Sequence, residues 1–119
     1  TMGATAPSWQ APTGGGQITI NPQTANYVLQ LTDAGALVTM TVTDTENTVT
    51  VPLYSSVAFP VGTIIWISQL GTGVTQVIPV SSGVTINSAS SATHLFTQYS
   101  LCSLINTATD VWLLTGDLI

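Results

Sequence analysis

Short apolar runs alternate with turn chemistry along most of this chain. The clearest period of two spans Ala36 to Thr43, where Val38, Met40 and Val42 fall on one face and Thr39, Thr41 and Thr43 on the other. Thr48-Val49-Thr50-Val51 alternates in the same way until Pro52 ends it. Before these come a short run at Ile18 to Ile20, closed by Asn21-Pro22, and a second at Tyr27 to Leu31. Asp33-Ala34-Gly35 reads as a turn in which Gly35 is free to take positive φ and the Asp33 carboxylate caps nearby backbone N–H groups. Asp44-Thr45-Glu46-Asn47 is a second turn.

The later runs are apolar on both faces. Thr63 to Leu70 sets three isoleucines around Trp66 and predicts a central strand, with Trp66 in the core. Gly71-Thr72-Gly73 reads as a tight hairpin turn into Val74 to Val80, where Pro79 marks an edge or a strand end. Val84-Thr85-Ile86 follows Ser82-Gly83, and Asn87 to Thr93 is a small polar loop. The last stretch predicts a hairpin. Tyr99, Leu101, Ser103 and Ile105 share a face, Cys102 and Leu104 lie between them, and Val111 to Leu114, including Trp112, returns after a polar turn in which Asp110 caps backbone N–H groups.

About eight to ten short strands and no helical period predict an all-β chain, an antiparallel β-sandwich or jelly-roll-like barrel. Its domain runs over residues 18–119. Residues 1–17 read as an extended N-terminal arm, with Pro7, Pro12 and a Gly14-Gly15-Gly16 run. The arm's one large side chain is Trp9, a candidate anchor on its own domain or in a pocket of a neighbouring subunit, with a disordered arm as the third alternative.

Composition narrows the function. The chain has 119 residues, of which 45% are hydrophobic and only 4% charged, against roughly 25% in an average soluble protein. It contains no Lys or Arg, so its five acids have no cation to pair with except His94 when protonated. Phosphate recognition by a basic patch is excluded, and no nucleic-acid partner is expected. No apolar run approaches the roughly 20 residues of a membrane-spanning helix, so no membrane partner is expected. No basic segment followed by an apolar stretch trails Met2, so no signal peptide is expected. A weakly charged, hydroxyl-rich surface leaves little repulsion to hold copies apart, which favours a role within an assembly.

Candidate chemistry is sparse. His94 is the one histidine, and no nucleophile motif surrounds any Ser, so it reads as a strand-edge residue. Cys102 is the one cysteine and reads as a buried thiol; with His94 it makes no zinc set. Asp44 and Glu46 offer carboxylates two residues apart without the spacing of a calcium loop. The expectation is a non-enzymatic chain without cofactor or metal.

Several blocks together resemble a known type of module. Tyr27-Val28-Leu29-Gln30-Leu31-Thr32-Asp33-Ala34-Gly35, Val49-Thr50-Val51-Pro52, Val57-Ala58-Phe59-Pro60-Val61-Gly62-Thr63, Gln69-Leu70-Gly71-Thr72-Gly73 and Trp112-Leu113-Leu114-Thr115-Gly116-Asp117-Leu118 look like a small β-domain of tailed-bacteriophage virion structural proteins. Pro7-Ser8-Trp9-Gln10-Ala11-Pro12 is similar to the linkers that precede such modules. The resemblance implies a virion protein. In one form it is a capsid decoration or cement protein that binds the major capsid protein, or another virion protein, through its arm and a trimeric β-domain. In the other it is a tail fibre or tailspike module that binds a host receptor. The homotrimer is carried by that analogy. Pro7, Trp9 and Pro12 are the candidate arm contacts, and Ser90 and His94 the candidate loop contacts.

Overall fold

A computed structural model describes residues 16–119, and among them it contains strands, two single-turn 3-10 segments and no α-helix. The strands are β1 (Ile20–Gln23), β2 (Tyr27–Val28), β3 (Leu37–Met40), β4 (Asn47–Val51), β5 (Ile64–Gln69), β6 (Thr75–Pro79), β7 (Thr85–Ser88), β8 (Leu101–Ala108) and β9 (Val111–Gly116). The 3-10 turns are Leu31–Asp33 and Ala89–Ser91.

From β1 to β6 the chain passes back and forth between two sheets. A six-stranded sheet has the order β1-β3-β5-β8-β9-β7, and a three-stranded sheet the order β2-β4-β6. Each excursion is one coil, and successive coils stack in parallel. Ile20 lies beside Leu37 and Leu37 beside Trp66; Tyr27 lies beside Val49 and Val49 beside Val77. The architecture is all-β with solenoid-like stacking. This corrects the expected antiparallel arrangement: β1–β3, β3–β5, β2–β4, β4–β6 and β7–β9 all run parallel. Among the described strand pairs, only β5–β8 and the predicted C-terminal hairpin β8–β9 are antiparallel.

That hairpin ends the stack. β8 pairs along the open edge of β5, with Ile64 opposite Ile105 and Ile67 opposite Cys102, so the growing edge of the large sheet is covered from within the chain. At the small sheet, the segment around His94 covers β6 through the isolated bridge between Gln76 and His94, and a second bridge between Leu95 and Leu118 ties that segment to the C-terminal end.

The core lies between the sheets. Val38, Met40, Ile65, Ile67, Cys102, Leu104, Trp112 and Leu114 face inward from the large sheet, meeting Val49, Val51 and Val77 from the small one. Leu29, Phe59, Val84 and Leu95 complete the cluster, and Phe59 packs edge-on against Trp112 with ring centroids 5.4 Å apart.

The turns between sheets explain why coils stack closely. Gly71-Thr72-Gly73 is not a hairpin turn: it carries the chain from β5 in one sheet to β6 in the other. It lies directly against the equivalent turn of the preceding coil. Gly71 N–H donates to Met40 O and Gly73 N–H to Val42 O, at 3.1 and 2.8 Å. A Cβ on Gly71 would stand 2.2 Å from Val42 O, and one on Gly73 2.1 Å from Thr45 O, so only glycine allows this approach. Buried amides reinforce the junction. Thr75 Oγ1 donates to Asn47 Oδ1, and Gln69 accepts from Thr75 N–H while donating to Gly71 O.

Several local expectations shift. Asn21 and Pro22 lie within β1, where an edge position tolerates the missing N–H of proline. The Tyr27 run leaves the sheet after Val28 and turns into the 3-10 segment ending at Asp33. Asn87 and Ser88 close β7, so the polar loop starts at Ala89.

Candidate functional site

Side chains alternate between sheet faces along a strand, so inward-facing Val38, Ile67 and Cys102 fix what points away from the core. On the outer face of the six-stranded sheet, Ile20, Leu37, Trp66, Ser103 and Thr115 form one row across the strands. Pro22, Thr39, Ser68 and Leu101 form a second, and Ile64, Ile105, Leu113 and Asn87 a third. None of these positions carries an ionisable group. Ile20, Leu101 and Leu113 are 52%, 48% and 41% exposed, and Leu37, Ile64, Trp66 and Ile105 are half-buried.

Trp66 therefore departs from its expected place in the core. Trp112 occupies the interior, and Trp66 stands on the opposite face of the same sheet. The sequence carried a signal for this. A strand apolar on both faces needs cover on both, and the described residues supply it on one.

Acidic groups lie elsewhere. Asp33 is buried at the start of the stack, where its carboxylate accepts hydrogen bonds from Asn21 Nδ2, Tyr27 Oη and the Gln30 N–H at 2.7–2.8 Å. The expected capping of a backbone N–H is present, and two neutral side chains complete the shell of a carboxylate that has no cation. Burial, with the Asp33 carboxylate holding the phenol proton, pushes the Tyr27 hydroxyl up to about 12. Burial likewise pushes the Cys102 thiol up to about 12, leaving it an inert core group. Asp110 also caps an N–H, but that of Tyr54 on a distant loop rather than one in its own turn. Asp117 accepts from Ser100 Oγ at 2.9 Å.

The remaining carboxylates border an open cleft of about 610 Å³ beside the small sheet. Asp44, Glu46, Thr72, His94 and Phe96 line it, with Val74 and Ile119 as apolar wall. Glu46 Oε2 lies 3.3 Å from His94 Nε2, with Glu46 exposed and His94 partly so. Asp44 and Thr72 bond reciprocally: the Asp44 N–H donates to Thr72 Oγ1, whose hydroxyl donates to Asp44 Oδ1. Asp44 and Glu46 thus take different partners, and the described residues contain no group of three or more His, Cys, Asp or Glu placed to hold a metal ion.

Of the candidate contacts, His94 reaches this cleft, and its backbone bridges β6. Ser90 is exposed in the 3-10 turn, where Ser90 and Ser91 both take left-handed φ near 55°. Pro7, Trp9 and Pro12 lie outside the described residues, as does most of the arm. The outer-face cluster around Trp66 is the feature that sequence reasoning missed. No family model, curated protein or solved structure matches the chain.

Proposed function

We propose that the chain is a non-enzymatic bacteriophage virion structural protein of the capsid surface. It decorates or cements the shell, binding the major capsid protein through its N-terminal arm and a β-domain that assembles as a homotrimer. An all-β domain of two sheets around one core, stacked like a solenoid, supports the reading of a compact building block. The observation that carries the reading is the outer face of the six-stranded sheet, apolar-rich and without an ionisable group, on a chain with no Lys or Arg. Such a face suits a packed contact better than open solvent, and the resemblance of the sequence blocks to phage virion modules supplies the setting.

A second reading, a tail fibre or tailspike module for receptor binding, draws on the cleft beside His94. Its volume of about 610 Å³ falls within the range of ligand sites, and exposed Phe96 beside carboxylates offers an aromatic platform with hydrogen-bond acceptors.

Copy number per particle separates the two, measured by quantitative mass spectrometry of purified virions against the major shell protein. Hundreds of copies support decoration. A few to a few tens support the tail. Absence from the particle refutes both.

A further inference from the structure

We propose that the outer face of the six-stranded sheet is the surface through which copies of this chain join one another, with Trp66 at its centre. This gives the self-association in the reading above a place on the molecule. It rests on that reading only for the claim that copies meet on a particle.

Charge selects the occupant. The chain carries a formal net charge of −5 and no Lys or Arg, so two copies have no side-chain cation with which to offset their acids unless His94 is protonated. Any contact that brought the Asp44–Glu46 turns together would be repulsive. Asp33 is buried, Asp44 and Glu46 lie on the turn between β3 and β4, Asp110 lies between β8 and β9, and Asp117 follows β9. The large sheet's outer face contains none of them. A basic partner would be drawn to the acidic turns, whereas an uncharged apolar face is matched by an identical one.

Size is consistent with this. Six strands at about 4.8 Å spacing make the face about 24 Å wide, and its rows of outward residues make it about 15–20 Å tall. Two such faces in contact bury on the order of 1,000 Å², the threshold of a specific interface. A half-buried Trp flanked by Leu37 and with Ile64 and Ile105 nearby has the composition of an interface centre.

The test is sedimentation velocity of the full chain from about 1 to 200 μM, with parallel circular dichroism and thermal melts. The wild type is expected to sediment as three copies, their large-sheet faces packed about a common axis. Trp66→Glu is expected to weaken association about 100-fold or more, by burying an unpaired charge. Leu101→Glu and Leu113→Glu are expected to do the same at exposed positions where the fold has little to lose. Val28→Glu, on the outer face of the small sheet, is expected to leave association unchanged. A single-chain mass at every concentration overturns the proposal and leaves the face to the arm or to a shell subunit. An oligomer equally tight in the Leu101 and Leu113 variants also overturns it. Either result stands apart from copy number on the virion, so this proposal and the functional reading fail separately.

Discussion

The two sheets bury similar aliphatic side chains inward but present different surfaces outward. The small sheet shows Thr48, Thr50 and Gln76, with Val28 and Ile78 between them, and ends at the cleft where Glu46 meets His94. The large sheet shows Ile20, Leu37, Ile64, Trp66, Leu101, Ile105 and Leu113 with only hydroxyls and one amide among them. One face is finished for water by its own side chains. The other has apolar positions in excess of what its single core requires, and that excess is what the proposed contact between copies would cover.

The two tryptophans make the sharpest test of this contrast, because they sit on opposite faces of one sheet. Trp112→Ala removes a fully packed ring and its edge contact with Phe59, and is expected to cost about 3–5 kcal/mol of unfolding free energy by urea titration. Trp66→Ala is expected to cost about 1 kcal/mol or less in the single chain and to act chiefly on association. Equal losses in a monomeric background would place Trp66 in the fold's core energetics and erase the distinction between faces.

A second break point is the stacked turn that joins the sheets. Gly73→Ala drives a methyl against the Thr45 backbone, which cannot move without disturbing the next coil, and is expected to cost about 3 kcal/mol. Gly35→Ala meets no atom within 4 Å, and its cost of about 1 kcal/mol comes from the left-handed backbone alone. Comparing the two melting temperatures separates close approach from dihedral strain.

These turns also show where sequence reading stopped. Strand positions were legible because Val38 and Met40, Val49 and Val51, and the Leu104 and Trp112 hairpin follow a period of two that survives any topology. The Asp33 cap and the left-handed Gly35 were legible because both are local. Pairing was not. Gly71-Thr72-Gly73 has the composition of a hairpin turn, and its true role depends on the Val42 and Thr45 backbones a full coil away. Successive coils differ in length, so no fixed repeat betrays the parallel stack. Trp66 misled for a related reason: a strand apolar on both faces has the same sequence whether its second cover comes from its own chain or another.

Alkaline pH probes the interior beneath both faces with little interference, since no lysine titrates. The phenol of Tyr27 and the thiol of Cys102 are both pushed up to about 12 in the fold, above their ordinary values of 10.0 and 9.0. Between those values and about 12 the unfolded chain releases these protons while the folded chain keeps them, so stability falls as pH rises through that window and is unaffected below it. Urea midpoints are expected to be level from pH 7 to about 8.5 and to drop steadily above it. Cys102→Ala is expected to delay the onset. A curve that stays flat to pH 11 would mean that neither proton is held by the fold.

The smallest effect belongs to the exposed pair at the cleft. Glu46→Gln removes a carboxylate 3.3 Å from the imidazole of His94, but both side chains are open to water, so stability is expected to change by about 0.5 kcal/mol or less. The paired comparison lies in association. If copies meet through the large sheet, this substitution leaves the sedimentation profile of the wild type intact at low and high salt alike. If they meet near the cleft, removing one acid from each copy relieves repulsion, tightens association and reduces its dependence on salt. A near-silent change in folding thus reads out which face carries the contact.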